Sequence, residues 1–276
     1  MNASLQALAV LLPVGYVVCA ILHGMAFGGP RAPQVRGLRA WISSATIALH
    51  LAYFAVRANA LHSFPVSDLW STVSAIVLVS ALLHRFLARS VGQASSGGVV
   101  LGIAALLQIA ASARADLAPI ARAEPLGAFA IVHVVTSVIA AATLLLSGVH
   151  GVLYLLLLRE MRERRFGALF DHLPDLDQLA RLMRGAALAG FLCLAIGVNV
   201  GIALAHAEKS PGFAYRDAEV LLSIVLWLHF GAIAFSRHVK GFNARRASIA
   251  AAGGLLVLLL SFVLVLFPTT TFHSGL

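Results

Sequence analysis

Apolar residues run through this chain in long unbroken stretches, with polar residues gathered between them. Stretches long enough to cross a bilayer, about 20 residues each, fall at residues 5–28, 40–61, 70–88, 98–114, 128–158, 185–206, 219–236 and 247–267. The pattern predicts an all-α polytopic membrane protein, a bundle of about eight transmembrane helices. The stretch at 98–114 is the shortest and ends on Arg114, whereas the one at 128–158 is long enough to project beyond a membrane. One polar segment keeps a helical repeat. Between Glu160 and Arg184, Leu176, Leu179, Leu182 and Met183 recur at helical spacing after Pro174. That segment, 160–184, predicts a short amphipathic helix lying on the cytoplasmic interface.

Charge orients the bundle. One set of connecting segments holds Arg31, Arg36, Arg39, Arg85, Arg89, Arg159, Arg162, Arg164, Arg165, Arg181, Arg184, Arg237, Lys240, Arg245 and Arg246. The other holds only Arg57, Arg114, Arg122, Lys209 and Arg216, so the 20 basic residues divide 15 to 5. Basic residues concentrate on the cytoplasmic side, which predicts both termini on the outer side, the periplasm of a bacterial cytoplasmic (inner) membrane. Residues 1–4 carry no basic stretch and no small-residue cleavage site follows the first run, so that run reads as a retained helix. The net charge of +9 belongs to these loops and gives no ground for a nucleic-acid partner; the surrounding partner is membrane lipid. Composition agrees: 60% of residues are hydrophobic and 11% charged, where a soluble domain carries about 25% charge. The chain therefore reads as a single transmembrane domain over 1–276. Cys19 and Cys193 are far apart, inside apolar stretches, and form neither a CxxC pair nor a covalent haem-attachment motif.

The predicted topology sorts eleven histidines by depth. His23, His84, His172 and His238 fall near the cytoplasmic side as interfacial or solvated residues. His50, His150 and His229 fall within helices. His62, His133, His206 and His273 fall at the outer side. Two imidazoles at one surface suggest a bis-histidine site, with haem the first ligand to consider, because neutral imidazole binds iron well when its second nitrogen is held by a hydrogen bond; from spacing alone an outer histidine is as readily an interfacial hydrogen-bonding residue. Arg57, Arg114, Arg122 and Arg216 supply cations for propionates at that side, and Trp70, Phe213, Tyr215 and Phe272 supply an apolar wall. No catalytic serine or cysteine constellation and no phosphate-binding glycine loop is present.

Five short stretches, in order, carry a resemblance. Phe64-Pro65-Val66-Ser67-Asp68-Leu69-Trp70-Ser71-Thr72 follows Arg57 and His62. Ile131-Val132-His133-Val134-Val135-Thr136-Ser137 opens the fifth run. Leu173-Pro174-Asp175-Leu176-Asp177-Gln178-Leu179 leads into Gly190-Phe191 and Gly197. Leu222-Ser223-Ile224-Val225-Leu226-Trp227 precedes Gly241-Phe242-Asn243-Ala244-Arg245-Arg246, and Phe272-His273-Ser274 ends the chain. Together they resemble the CcsA family of cytochrome c assembly proteins, in its HemX and YpjD branch, with a family-like core over about 40–276. The resemblance implies one non-covalent haem b at the outer face with His133 and His273 as axial iron ligands. Around it the candidates are His62, His206, Arg57, Arg216, Trp70, Phe213 and Tyr215. It implies haem, a further membrane or periplasmic cytochrome-assembly protein and apocytochrome c as partners.

The chain departs from the family at its tryptophan-rich outer segment. Phe213-Ala214-Tyr215-Arg216-Asp217-Ala218-Glu219 stands there, without the tryptophans and with the acid displaced. The family's intramembrane histidine falls near Phe235, with His229 two turns away. Haem handling is thus expected, whereas an attachment enzyme is not. Three other readings stand beside it. His50 and His150 are second-site candidates for a haem-bearing anchor or electron-transfer subunit. A regulator or scaffold of haem metabolism needs no chemistry of its own. A small-molecule transporter would show paired broken helices or intramembrane acids, and the chain lacks both. Gly197 and Gly201, four apart, read as a helix contact.

Overall fold

Every apolar stretch becomes a helix in the computed structural model, which describes residues 3–25, 32–90, 96–114, 126–164, 167–207 and 218–264. The helices are α1 (Ala3–Met25), α2 (Ala32–Leu61), α3 (Leu69–Ser90), α4 (Gly97–Arg114), α5 (Ala128–Arg162), α6 (Ala168–His172), α7 (Leu176–Ala207), α8 (Ala218–Ala234) and α9 (Ala244–Leu264). No strand occurs among the described residues. Among the described residues five helices, α1, α3, α4, α5 and α7, are long and apolar enough to cross a membrane, as a multi-pass protein requires.

The chain divides into two compact units, Met1–Leu126 with Leu156–Asp175, and Gly127–Leu155 with Leu176–Leu276. In unit 1, α1 packs on α2 and α4, and α3 packs on α4 and α2, which closes a ring of four helices. The inward stripe of α1 is Leu5, Ala9, Leu12, Tyr16, Cys19 and His23, all buried, at spacings of three and four. Val10, Leu11, Val14, Val18 and Ile21 on its other faces are exposed, as suits a helix whose outer solvent is lipid.

The sequence Pro65-Val66-Ser67-Asp68 ends the α2–α3 loop by capping α3. Asp68 Oδ1 accepts the backbone N–H groups of Trp70 and Ser71, both at 2.9 Å. Ser71 Oγ in return accepts the N–H groups of Ser67 and Asp68, both at 3.1 Å. Reciprocal capping of this kind satisfies donors that a helix start leaves open.

In unit 2, α7 packs on α8 and α9, and α8 packs on α9. Glycines bring α5 close to its neighbours: a Cβ on Gly151 would stand 2.8 Å from Ala251 Cβ, and one on Gly148 would run into Leu255. Small residues are how membrane helices approach each other without a hydrophobic driving force between them.

Two expectations need correction. The segment 160–184 is not one short helix. It divides into the end of α5, the five residues of α6, and the start of α7. Pro174 stops the chain once, but nothing between Arg184 and Gly185 breaks the helix, so the leucine stripe continues into a membrane-length helix. Its Leu179 and Met183 are fully buried. Secondly, of the two alternatives for His23 and His84, interfacial or solvated, the solvated one does not hold. They are 6% and 3% exposed, and their rings meet edge to face at 5.7 Å beside Gly97, where a Cβ would collide with the His23 ring. His172 and His238 are exposed, as expected.

Candidate functional site

His133 lies on the first turns of α5, half-buried, and its ring is held by α7. Its Nδ1 lies 2.8 Å from the carbonyl oxygen of Gly197. A carbonyl only accepts, so Nδ1 carries the proton and the neutral ring keeps its lone pair on Nε2. Within the described residues Nε2 takes no hydrogen bond. Gly201 forms the floor: a Cβ there would stand 2.7 Å from His133 Cε1 and 2.8 Å from Nδ1. Gly197 likewise sits against Ser137, whose Oγ would be 2.8 Å from an added Cβ. The Gly197–Gly201 pair therefore does more than let two helices touch. It is a slot for one imidazole, cut from the backbone of α7.

This is the arrangement an iron-ligating histidine needs. The second nitrogen is tied to a backbone acceptor, which fixes both tautomer and ring orientation. The residues present thus fit one axial position of a haem. The other candidate ligand, His273, lies outside the described residues, as do Phe213, Tyr215 and Arg216 of the expected surround.

The other candidates are placed as follows. His206 is exposed on the last turn of α7, with Nδ1 bound to Ile202 O at 2.8 Å. His62, exposed, follows α2 with φ of 50°, and belongs to unit 1. Arg57 is 2% exposed and donates to Asp68 Oδ2 at 2.6 Å and to Pro65 O at 3.0 Å. That side chain staples the α2–α3 loop. Trp70 faces the Arg114 guanidinium, 6.0 Å from the ring centroid, a cation–π contact.

His50 and His150 fall in different units. His50 has both nitrogens engaged, with Tyr16 Oη and Ser74 Oγ, each at 2.9 Å. His150 is 1% exposed. Its Nδ1 donates to Leu146 O at 2.7 Å, and its buried Nε2 has no hydrogen-bond partner. His229 uses Nε2 to bind Ala250 O at 2.9 Å.

Sequence reasoning missed the role of Gly197 and Gly201 toward His133. The signal was there as two glycines one turn apart, but nothing in the pattern says which side chain lies over them.

The family model described as "Cytochrome C assembly protein" matches residues 42–273. The chain belongs to this family. Neither a curated protein nor a solved structure matches it. As a cytochrome c assembly protein it works in cytochrome c biogenesis, a process whose cofactor is haem. The match runs from within α2 to beyond α9 and so takes in His133, its glycine slot and the polar loop of Arg57 and Asp68. α1 lies ahead of it.

Proposed function

We propose that this chain binds one haem b non-covalently, with His133 and His273 as the axial ligands. It hands that haem on, at the outer face of the bacterial cytoplasmic membrane, for cytochrome c biogenesis. The observation that carries the proposal is the His133 Nδ1 to Gly197 carbonyl bond, which leaves Nε2 as the ligating nitrogen. Haem, when bound, supplies an iron that takes two imidazoles and a reactive vinyl edge for a downstream acceptor. The protein's share is to orient His133 and keep its lone pair available. His206, on the last turn of the helix that holds the slot, belongs to the surround, with Arg216, Phe213 and Tyr215. His62, Arg57 and Trp70 belong to unit 1, and Arg57 is already neutralised by Asp68. The partners are a further cytochrome-assembly protein of the membrane or periplasm, and apocytochrome c as the final acceptor. The tryptophans of the attachment segment are missing, so the role is that of a haem-handling factor and not of the attachment enzyme.

Absorption spectroscopy with haem quantification tests this directly. The expected result is one haem per chain and a bis-histidine spectrum that is lost in His133→Ala and in His273→Ala. A purified protein that stays colourless after expression with ample haem would overturn the proposal in favour of a regulator or scaffold. Two haems per chain, the second lost in His150→Ala, would favour an electron-transfer subunit instead.

A further inference from the structure

At the opposite end of α7 from the His133 slot, unit 2 gathers bases with few acids to answer them. Residues 220–276 contain no acid, yet they hold Arg237, Lys240, Arg245 and Arg246, all exposed. Arg237 sits on a single tight turn, Ser236–His238, which packs on α8 and α9. From α7 come Arg181 and Arg184. Arg184 is half-buried. Its charge lies within reach of Arg237 across the α7–α8 seam, of Arg181 one turn before it, of the Tyr154 phenol on α5, and of one carboxylate, Asp177. Three guanidiniums thus share a single acid. A half-buried cation beside others of its own sign is unfavourable unless an anion joins it.

The surface next to these bases is hydrocarbon. Arg181, Arg184, Leu188 and Leu192 follow at spacings of three and four, so they share one face of α7. Both leucines are exposed. Across the seam, Phe191 stacks on Trp227 at 5.1 Å and meets Phe235 edge to face at 5.8 Å. Phe235 is exposed and stands two residues before Arg237. Positive charge at the helix end, with exposed apolar side chains running from it toward the helix middle, matches a phosphate joined to acyl chains. A free phosphate would use the bases and leave the hydrocarbon unanswered.

We propose that the Arg184–Arg237 end of the α7–α8 seam binds an anionic phospholipid. Its phosphate is held between two guanidiniums from different elements, and its acyl chains lie along Leu188, Leu192 and Phe235. Guanidiniums take phosphate oxygens through paired N–H···O bonds, and basic clefts between membrane helices, on the side rich in Lys and Arg, lodge anionic headgroups. This is distinct from the diffuse attraction of a basic face, because it depends on two particular arginines that folding brings together. It uses no residue of the haem proposal and stands or falls separately from it.

The test uses the full chain in detergent micelles. Phosphatidylglycerol, zwitterionic phosphatidylcholine and inorganic phosphate are added in turn, and native mass spectrometry reads what stays bound. The expected result is retention of phosphatidylglycerol over phosphatidylcholine, with no displacement by inorganic phosphate. Arg184→Gln combined with Arg237→Gln should weaken phosphatidylglycerol binding about tenfold or more, as the loss of charge-assisted hydrogen bonds does, while the thermal midpoint is kept. Arg89→Gln combined with Arg159→Gln also removes two charges, from exposed positions of unit 1, and should leave binding unchanged. Equal losses in the two pairs, or equal retention of both lipids, would reduce the effect to diffuse attraction and overturn the site. Displacement by inorganic phosphate overturns the lipid as the ligand and leaves a simple anion site. If the double variant of unit 2 fails to fold, Arg237→Gln alone decides, and undiminished binding there overturns the site equally.

Discussion

A single backbone bond decides what His133 can do. Its Nδ1–H points at Gly197 O, so Nε2 is the nitrogen whose lone pair remains available. Gly201 is the more sensitive test, because it touches only the ring. A Cβ at 2.7 Å from Cε1 forces the imidazole to move, since such a distance lies well inside van der Waals contact. Gly201→Ala is therefore expected to lower haem occupancy and shift the Soret band while the helix content by circular dichroism stays the same. Gly253→Ala, on α9 with nothing within 4 Å of its added methyl, should leave the spectrum untouched. Equal spectra for both variants would mean that the slot does not position the ring. These two glycines read in the sequence as helix spacing. Which residue they accommodate is not written there, because a glycine marks the absence of a side chain and not the identity of its neighbour.

At the scale of an element, the start of α3 joins a cap to an ion pair through one residue. Asp68 accepts two backbone N–H groups through Oδ1 and Arg57 through Oδ2. Asp68→Asn keeps an acceptor for the cap and loses the charge. Asp68→Ala loses both and strands a guanidinium that is 2% exposed. A lost cap costs about 1 kcal/mol. A broken buried pair costs up to about 3–5 kcal/mol, reduced here because the Asp68 side chain is 35% exposed. Thermal unfolding in detergent should rank wild type above Asp68→Asn and Asp68→Asn above Asp68→Ala. A reversed order of the two variants would remove the cap from the account. The boundaries of α3 and α4 were legible, to within two residues, from the apolar runs at 70–88 and 98–114. The start of α7 was not, because Leu176–Arg184 is amphipathic by composition yet continuous in backbone with the membrane-length part, and periodicity carries no mark of where one helix becomes another.

For the whole molecule, the 15 to 5 division of basic residues remains the basis for orientation. In a variant freed of Cys19 and Cys193, Ser63→Cys in the α2–α3 loop should react with a membrane-impermeant maleimide on intact cells. Lys240→Cys in the α8–α9 turn should react only after the cells are opened. The opposite pattern would invert the topology, and with it the face at which His133 stands. The division into two units has no counterpart in the hydropathy of the chain, which runs evenly across both. Unit 1 gathers the ordered polar chain of Tyr16, His50, Ser74 and Gln108. Unit 2 gathers the glycine-lined contacts of α5 with its neighbours.

From the sequence alone came the all-helical, multi-pass character, the positions of the apolar helices, the family, and His133 as a ligand candidate. All of these rest on local composition, periodicity or an ordered set of short matches. The tertiary structure decided the rest. It buried His23 and His84, which their loop-adjacent positions had left as interfacial or solvated. It paired Arg57, a candidate for propionates, with Asp68, and it engaged both nitrogens of His50. The physical reason is common to all of them. A polar group's role depends on which partner lies within about 3 Å of each of its atoms, and that partner is supplied by another helix, whose register the one-dimensional pattern does not specify.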